Sequence, residues 1–73
     1  MTPYKDTDND SNVKAYQIGS GYIIVQFKNC ACYRYTVGSA GATAVTEMCR
    51  LAQLGDGLNA YINHYKPSYE SKW

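Results

Sequence analysis

The stretch YIIVQFKNCACYRYTV, residues 22–37, constrains the fold of this chain more than any other part of the sequence. It contains two runs of β-branched and aromatic residues on either side of Lys28-Asn29-Cys30. Side chains of this type lose rotamers in a helix and pack well on a pleated surface, so both runs are predicted to be strands. The short polar connection between them indicates an antiparallel hairpin.

Alternation along the two predicted strands divides the hairpin into two faces. One face is more apolar, and we expect it to pack on the core; we call it the inner face. The inner-face residues are Ile23, Val25, Phe27, Ala31, Tyr33, Tyr35 and Val37. The residues of the opposite, outer face are Tyr22, Ile24, Gln26, Cys30, Cys32, Arg34 and Thr36.

The segment before the hairpin supplies a third strand. Residues 13–18, VKAYQI, alternate imperfectly between apolar and polar, which indicates an edge strand with a bulge. The glycines of Gly19-Ser20-Gly21 then form a tight turn into the hairpin.

Two segments after the hairpin show helical periodicity. A small, flexible linker at residues 38–42 precedes a predicted helix over residues 43–54, and Asp56 is expected to cap a second helix that Pro67 ends. The apolar stripes are Val45, Met48, Cys49, Ala52, Leu58, Tyr61, Ile62 and Tyr65. The predicted fold is α+β: a three-stranded antiparallel β-meander followed by two α-helices packed on one face of the sheet.

The ends of the chain are expected to lie outside this fold. Residues 1–12 are polar and lack periodicity, so they are predicted to form a disordered N-terminal arm. Residues 13–69 form a single predicted α+β domain. Residues 70–73 are a C-terminal tail.

Composition excludes some classes of function. The 73 residues carry a formal net charge of +1, which excludes a nucleic-acid binder that relies on charge alone. The beginning of the chain has no apolar run, and no later stretch is long enough to span a membrane. We therefore expect a cytoplasmic protein without membrane association.

The three cysteines raise the question of a metal or a reactive thiol. Cys30, Cys32, Cys49 and the single histidine, His64, could in principle hold tetrahedral zinc. However, Cys30-Ala31-Cys32 places both sulfurs on the outer face, whereas the helix with Cys49 is expected to pack on the inner face. The histidine is predicted on the polar side of its helix. We expect reduced thiols, no metal, no cofactor and no catalytic residues.

Several short segments, in the order of the predicted elements, also match a known pattern. They are Ser11-Asn12-Val13, Val25-Gln26-Phe27, Tyr33-Arg34-Tyr35 with Val37, Gly55 with Leu58-Asn59, and Ile62 with Tyr65. In these segments, which extend from residue 11 to about residue 69, the chain resembles the KTSC domain family. That family is a short α+β module found at the C-terminus of some lysyl-tRNA synthetases and as a stand-alone bacterial or phage protein. The resemblance implies the fold and a bacterial or phage setting, and it assigns no catalytic set.

Two hypotheses of function remain. In the first, the chain is a small non-catalytic interaction module, a bacterial or phage accessory protein that contacts a partner protein or a second copy. Helices can cover only one face of the sheet, so the outer face is the expected contact surface. Its candidate binding residues are Tyr22, Ile24, Cys32 and Arg34. A secondary candidate surface is the polar helix face with Asn59, Asn63 and His64.

In the second hypothesis the outer face binds RNA or tRNA. Tyr22 would stack on a base while Lys14, Lys28 and Arg34 contact phosphates. The near-neutral net charge makes a protein partner the preferred hypothesis. No small-molecule substrate is inferred.

Overall fold

The computed structural model describes residues 1–6 and 12–73. In these residues the chain is an α+β protein with an antiparallel sheet of five strands in sequential order and three helices. The elements are β1 (Thr2–Pro3), β2 (Val13–Gly19), β3 (Tyr22–Phe27), β4 (Cys32–Thr36), α1 (Val37–Ala40), α2 (Ala42–Leu54), α3 (Leu58–Tyr65) and β5 (Ser71–Lys72). The α+β prediction is confirmed, whereas the expected three strands and two helices were too few.

The predicted hairpin forms the centre of the sheet. β3 pairs with β4 in a register that places Val25 opposite Tyr33 and Ile24 opposite Arg34. On its other side β3 pairs with β2, and the register shifts between Val13 and Ala15, where the bulge was expected. Over Tyr22–Phe27 and Cys32–Thr36 the inner and outer faces of the hairpin are therefore divided as predicted.

The core lies between the inner face of the sheet and the helices. Ile23, Val25 and Tyr35 are almost completely buried and belong to the same cluster as Met48 of α2 and Leu58 of α3. The inner-face residues Phe27 and Tyr33 pack against the margin of this cluster and stay half-buried. This margin is where the core opens to the surface.

The N-terminal segment is ordered in part, contrary to the predicted disordered arm. β1 pairs with β2, and Tyr4 is only 7% exposed within the core cluster. A large aromatic side chain buries enough surface to hold such a short segment in place. Residues 7–11, which include the rest of the predicted arm and Ser11 of the KTSC-like pattern, lie outside the described residues.

The C-terminal residues also join the sheet rather than forming a free tail. β5 pairs with β4, with Lys72 opposite Tyr33. Cys32 and Trp73 exchange two backbone hydrogen bonds, with N–O distances of 2.7 and 2.9 Å. These bonds satisfy backbone groups of β4 that would otherwise form an open edge.

The predicted flexible linker contains a short helix. α1 begins at Val37, which is 46% exposed. The prediction that Val37 belongs to the inner face and its core was therefore wrong. Thr36 caps α1: its hydroxyl accepts a hydrogen bond from the Ser39 N–H, and the Ser39 hydroxyl accepts one from the Thr36 N–H. This reciprocal capping box explains why so short a helix forms.

Both ends of α3 differ in detail from the prediction. Gly57, in the left-handed conformation, stands at its N-cap in place of Asp56. The helix ends at Lys66, whose backbone is also in the left-handed conformation and which directly precedes Pro67. Tyr65, the last residue of the predicted apolar stripe, is 65% exposed.

Over the described parts of the chain, no helix has the length and apolar character required to cross a bilayer.

Candidate binding groove

The core opens to the surface in a groove with a volume of about 970 Å³ between the inner face of the sheet and the end of α3. We call it the tyrosine groove. The β3–β4 hairpin forms one wall, and α3 with the segment that follows it forms the other. Its lining residues are Asn12, Phe27, Lys28, Asn29, Tyr33, Tyr35, Ile62, Asn63, Lys66, Pro67, Ser68 and Tyr69.

Four aromatic rings form a continuous cluster in the groove. Tyr33 is at its centre, with Phe27 edge-on at a centroid distance of 5.4 Å and Tyr69 edge-on at 5.0 Å. Tyr35 is nearly parallel to Tyr33 at 6.4 Å. Edge-to-face and offset-parallel arrangements are the favourable geometries for aromatic pairs, so the rings hold one another in place.

The turn after α3 brings Tyr69 to this cluster. The Lys66 N–H donates to the Ile62 carbonyl at 2.9 Å, and Lys66 has a positive φ of 48°. Proline cannot continue the helix, and the chain therefore reverses at Pro67. The Glu70 N–H then donates to the Arg34 carbonyl at 2.6 Å, which anchors the returning chain beside β4 and leaves Tyr69 over Tyr33.

Lysines surround the groove. Lys28 and Lys66 line it, and the Lys72 ammonium nitrogen lies 5.5 Å from the centre of the Tyr33 ring, in range of a cation–π interaction. Lys28 is also 3.5 Å from a carboxylate oxygen of Asp6, a side chain that is only 11% exposed. No carboxylate is among the described residues that line the groove.

Tyr35 lies at the buried end of the aromatic cluster. Burial, with smaller contributions from Tyr33 and Tyr69, raises the pKa of Tyr35 to about 12. Removing the hydroxyl proton would place a charge in a poorly solvated position. The hydroxyl therefore stays protonated at neutral pH.

The predicted outer-face residues lie on one face, but they are not a bare apolar patch. Tyr22 and Arg34 form a cation–π pair, with the guanidinium carbon 4.6 Å from the ring centre. The two side chains flank Ile24, which is 9% exposed, and Cys32 is 6% exposed beside the Trp73 backbone. The expectation that Ile24 and Cys32 are exposed was wrong.

Arg34 is further engaged by a carboxylate. Its Nε lies 3.3 Å from an oxygen of Glu70, an ion-pair distance without hydrogen-bond geometry. An arginine that already contacts both Tyr22 and Glu70 is less available to a phosphate. The outer face is thus a less suitable contact surface than the sequence indicated.

The three residues of the secondary candidate surface do not form one site. Asn63 lines the tyrosine groove, whereas Asn59 is half-buried and not part of the lining. The His64 ring packs edge-on against Tyr65 at 4.5 Å, outside the groove lining. Of these three residues, only Asn63 therefore contributes to the groove.

The cysteines are free and are not gathered with other ligands. Cys30 is exposed in the hairpin turn, Cys32 is buried on the outer face, and Cys49 is half-buried on α2, where burial raises the pKa of its thiol. Among residues 1–6 and 12–73, no three His, Cys, Asp or Glu side chains are placed to hold a metal ion. The zinc ligands considered above are not brought together.

Sequence reasoning missed the tyrosine groove. It assigned Phe27, Tyr33 and Tyr35 to the core and placed Tyr69 at the end of the domain, where it could dock back on the fold but was not assigned to a site. One signal was present in the sequence: Tyr69, an aromatic residue, comes two positions after Pro67, and Pro67 ends a helix that was predicted to pack on the sheet. A proline ends the helix, but where the chain goes afterwards depends on tertiary packing.

Comparisons with known proteins add no relative. No family model, no curated protein and no solved structure matches the chain. The resemblance to the KTSC family therefore stays a prediction.

Proposed function

We propose that this protein is a small non-catalytic interaction module that holds a segment of a partner protein in the tyrosine groove. The observation that carries the proposal is the groove itself, about 970 Å³ in volume, with the partly exposed rings of Phe27, Tyr33 and Tyr69. Tyrosine presents a large contact area with few rotatable bonds, and aromatic residues are enriched at protein interfaces. The contact surface is thus the groove rather than the outer face.

The chemistry of the lining supports binding over catalysis. The described lining residues supply rings, aliphatic carbons, amides, hydroxyls and ammonium groups, but no carboxylate, thiol or imidazole. Histidine and carboxylates are the most frequent acid–base groups, and the described lining offers neither to activate the Ser68 hydroxyl as a nucleophile. The groups present suit hydrogen bonding and apolar contact.

The shape of the groove supports a chain segment as the ligand. Its walls carry exposed residues on both sides, among them Asn29 of the hairpin and Asn63 of α3. A polypeptide can enter such an open groove, place a side chain on the rings and continue beyond it. Amide groups on the walls both donate and accept hydrogen bonds, as does a peptide backbone.

The resemblance to the KTSC family supplies the setting of the proposal. On that basis the protein is a cytoplasmic accessory protein of a bacterium or phage, and its ligand is part of a host or partner protein. RNA or tRNA is the competing ligand class, which the lysines beside the aromatic rings favour.

The test is a pull-down from native cell lysate, with and without nuclease, that compares two aromatic variants. Tyr69→Ala removes a ring from the groove, and Tyr65→Ala removes an exposed ring of α3 outside it. The partner is identified, purified and measured for binding to the same two variants. We expect Tyr69→Ala to lose the partner and Tyr65→Ala to retain it, regardless of nuclease.

Two results of this pull-down would contradict the proposed function, each in a different way. Equal binding of the partner by both variants would place the contact surface outside the groove. Loss of the captured protein on nuclease treatment would make RNA the direct ligand and reject the protein partner.

A further inference from the structure

The charges at the tyrosine groove are unbalanced. Two lysines and no carboxylate are among its described lining residues, and the Lys72 ammonium lies next to Tyr33. Asp6 offsets part of the charge of Lys28, while Glu70 contacts Arg34 on the outer face. Within residues 1–6 and 12–73, Lys66 forms no ion pair. Among the residues that the structure describes, the groove therefore carries an excess of positive charge at Lys66 and Lys72, which is complementary to a negatively charged ligand.

The aromatic cluster favours a polypeptide over a nucleic acid. A base needs a free ring face on which to stack. Tyr33, at the centre of the cluster, has Tyr35 parallel to it, Phe27 and Tyr69 edge-on, and an ammonium group over its ring. Because Phe27 and Tyr69 are edge-on to Tyr33, the cluster presents no single flat ring face at its centre. Such a surface accepts the compact, non-planar ring of proline.

Proline fits the groove for an energetic reason as well. A proline-rich segment already adopts an extended polyproline II conformation, so binding orders it at little entropic cost. Aromatic-lined grooves are a recurrent site for such segments. The side-chain NH2 groups of Asn12 and Asn63 on the walls can donate hydrogen bonds to the backbone carbonyls that a polyproline II segment leaves without partners.

We propose that the ligand of the tyrosine groove is an acidic, proline-containing segment of a partner protein in extended conformation. This inference rests on the proposed function and specifies the partner's chemistry. A proline ring packs against the exposed Tyr69 ring, and flanking carboxylates contact Lys66 on one wall and Lys28 on the other. Charge selects acidic segments, and the rings select proline.

Fluorescence anisotropy with the full chain tests this directly. The probe is a labelled, capped peptide of five Glu-Pro repeats. The comparison ligands are five Lys-Pro repeats, five Glu-Ser repeats and a ten-residue uridine oligonucleotide. We expect the Glu-Pro peptide to bind most tightly and to weaken at high salt, because contacts between exposed charges are screened.

Four variants locate the binding on the protein. Lys66→Glu and Tyr69→Ala are each expected to weaken binding by about tenfold, as for interface residues that contribute substantially. Lys14→Glu makes the same charge change at an exposed residue outside the groove lining, and Tyr65→Ala removes an exposed ring there. We expect both control variants to stay within about twofold of the parent. Circular dichroism confirms that each variant is folded.

The outcomes separate this inference from the proposed function. Equal affinity for Lys-Pro or Glu-Ser repeats, tighter binding of the oligouridine, or no binding of the Glu-Pro peptide would each overturn the inference. If the identified partner still depends on Tyr69, the proposed function survives that failure. If Tyr69→Ala and Lys66→Glu bind the purified partner as the parent does, the groove is not the site and both proposals fail.

Discussion

The hydroxyl oxygen of Tyr4 accepts a hydrogen bond from the backbone N–H of Leu58, 54 residues later in the chain, at 3.3 Å. The first N–H groups of a helix have no partner within the helix, and Gly57 offers no side-chain cap. Tyr4 supplies that missing acceptor from the N-terminal segment. The N-terminal segment and the beginning of α3 are thereby tied to one core.

We expect Tyr4→Phe to lower the free energy of unfolding by about 1–2 kcal/mol, because it leaves a buried N–H without this acceptor. Tyr4→Ala also removes a buried ring and is expected to lower it by about 3–5 kcal/mol. Urea unfolding measures both. The exposed Tyr65→Ala is the control: it loses ring contacts with Tyr61 and His64, and we expect a change of at most about 1 kcal/mol. A similarly small effect of Tyr4→Ala would show that the N-terminal segment is not part of the core.

Two left-handed glycines make a second test of how the N-terminal segment packs. Gly55 has a φ of 79°, and a Cβ added there would lie 2.5 Å from the Lys5 Cβ. Gly57 has a φ of 84°, and its added Cβ would meet only the Leu51 side chain, at 3.4 Å. We expect Gly57→Ala to destabilise by about 1–2 kcal/mol through backbone strain alone.

Gly55→Ala combines the same strain with a collision and should therefore destabilise more than Gly57→Ala. It should also shift the NMR signals of Lys5 more than Gly57→Ala does, because the added Cβ at Gly55 meets the Lys5 side chain. Equal destabilisation by the two variants, with no shift in those signals, would contradict the packing of Lys5 against this turn.

The burial of Ile24 changes what is expected of outer-face variants. If the outer face were an exposed contact surface, as the sequence predicted, Ile24→Thr together with Tyr22→Ser would leave the fold intact. Because Ile24 is only 9% exposed, we now expect Ile24→Thr alone to destabilise by about 1–3 kcal/mol. Gln17→Thr is the matched control, since Gln17 lies directly opposite Ile24 on β2 and is exposed.

Thermal unfolding compares the two outer-face variants. The midpoint of Gln17→Thr should stay close to that of the parent, while Ile24→Thr should lower it by several degrees. An unchanged midpoint for Ile24→Thr would restore the expectation of a solvated, available outer face.

The protonation of Tyr35 predicts how stability depends on alkaline pH. Its pKa is raised to about 12 in the folded protein from an ordinary value of 10.0, so the folded state holds the hydroxyl proton more tightly. The resulting stabilisation is fully present below pH 10 and is lost as pH rises from about 10 to 12. Urea unfolding between pH 9 and about pH 12 measures the loss.

The control for the pH experiment is Tyr35→Phe, which cannot ionise at that position. Its stability should fall less steeply over the same interval than that of the parent. Parallel curves for parent and variant would mean that the hydroxyl of Tyr35 is as well solvated in the folded state as in the unfolded state.

The sequence by itself determined the elements whose evidence is local. The β-branched runs of residues 22–37 predict the hairpin and the division of its faces, and helical spacing predicts α2 nearly residue for residue. In these segments neighbouring residues share one periodicity, so propensity and burial favour the same structure. The placement of Ile23, Val25 and Tyr35 in the core follows from that pattern.

Only the tertiary structure decided where the two ends of the chain go. β1, β5 and the Tyr4–Leu58 contact each depend on residues that are distant in sequence, and segments of two residues carry no periodicity of their own. The tyrosine groove has the same origin, because Tyr69 reaches Tyr33 only through the turn at Pro67 and the pairing of Glu70 with Arg34. An apolar pattern marks a side chain as suited to burial. Whether packing around it is complete or leaves a groove depends on contacts that the pattern does not encode.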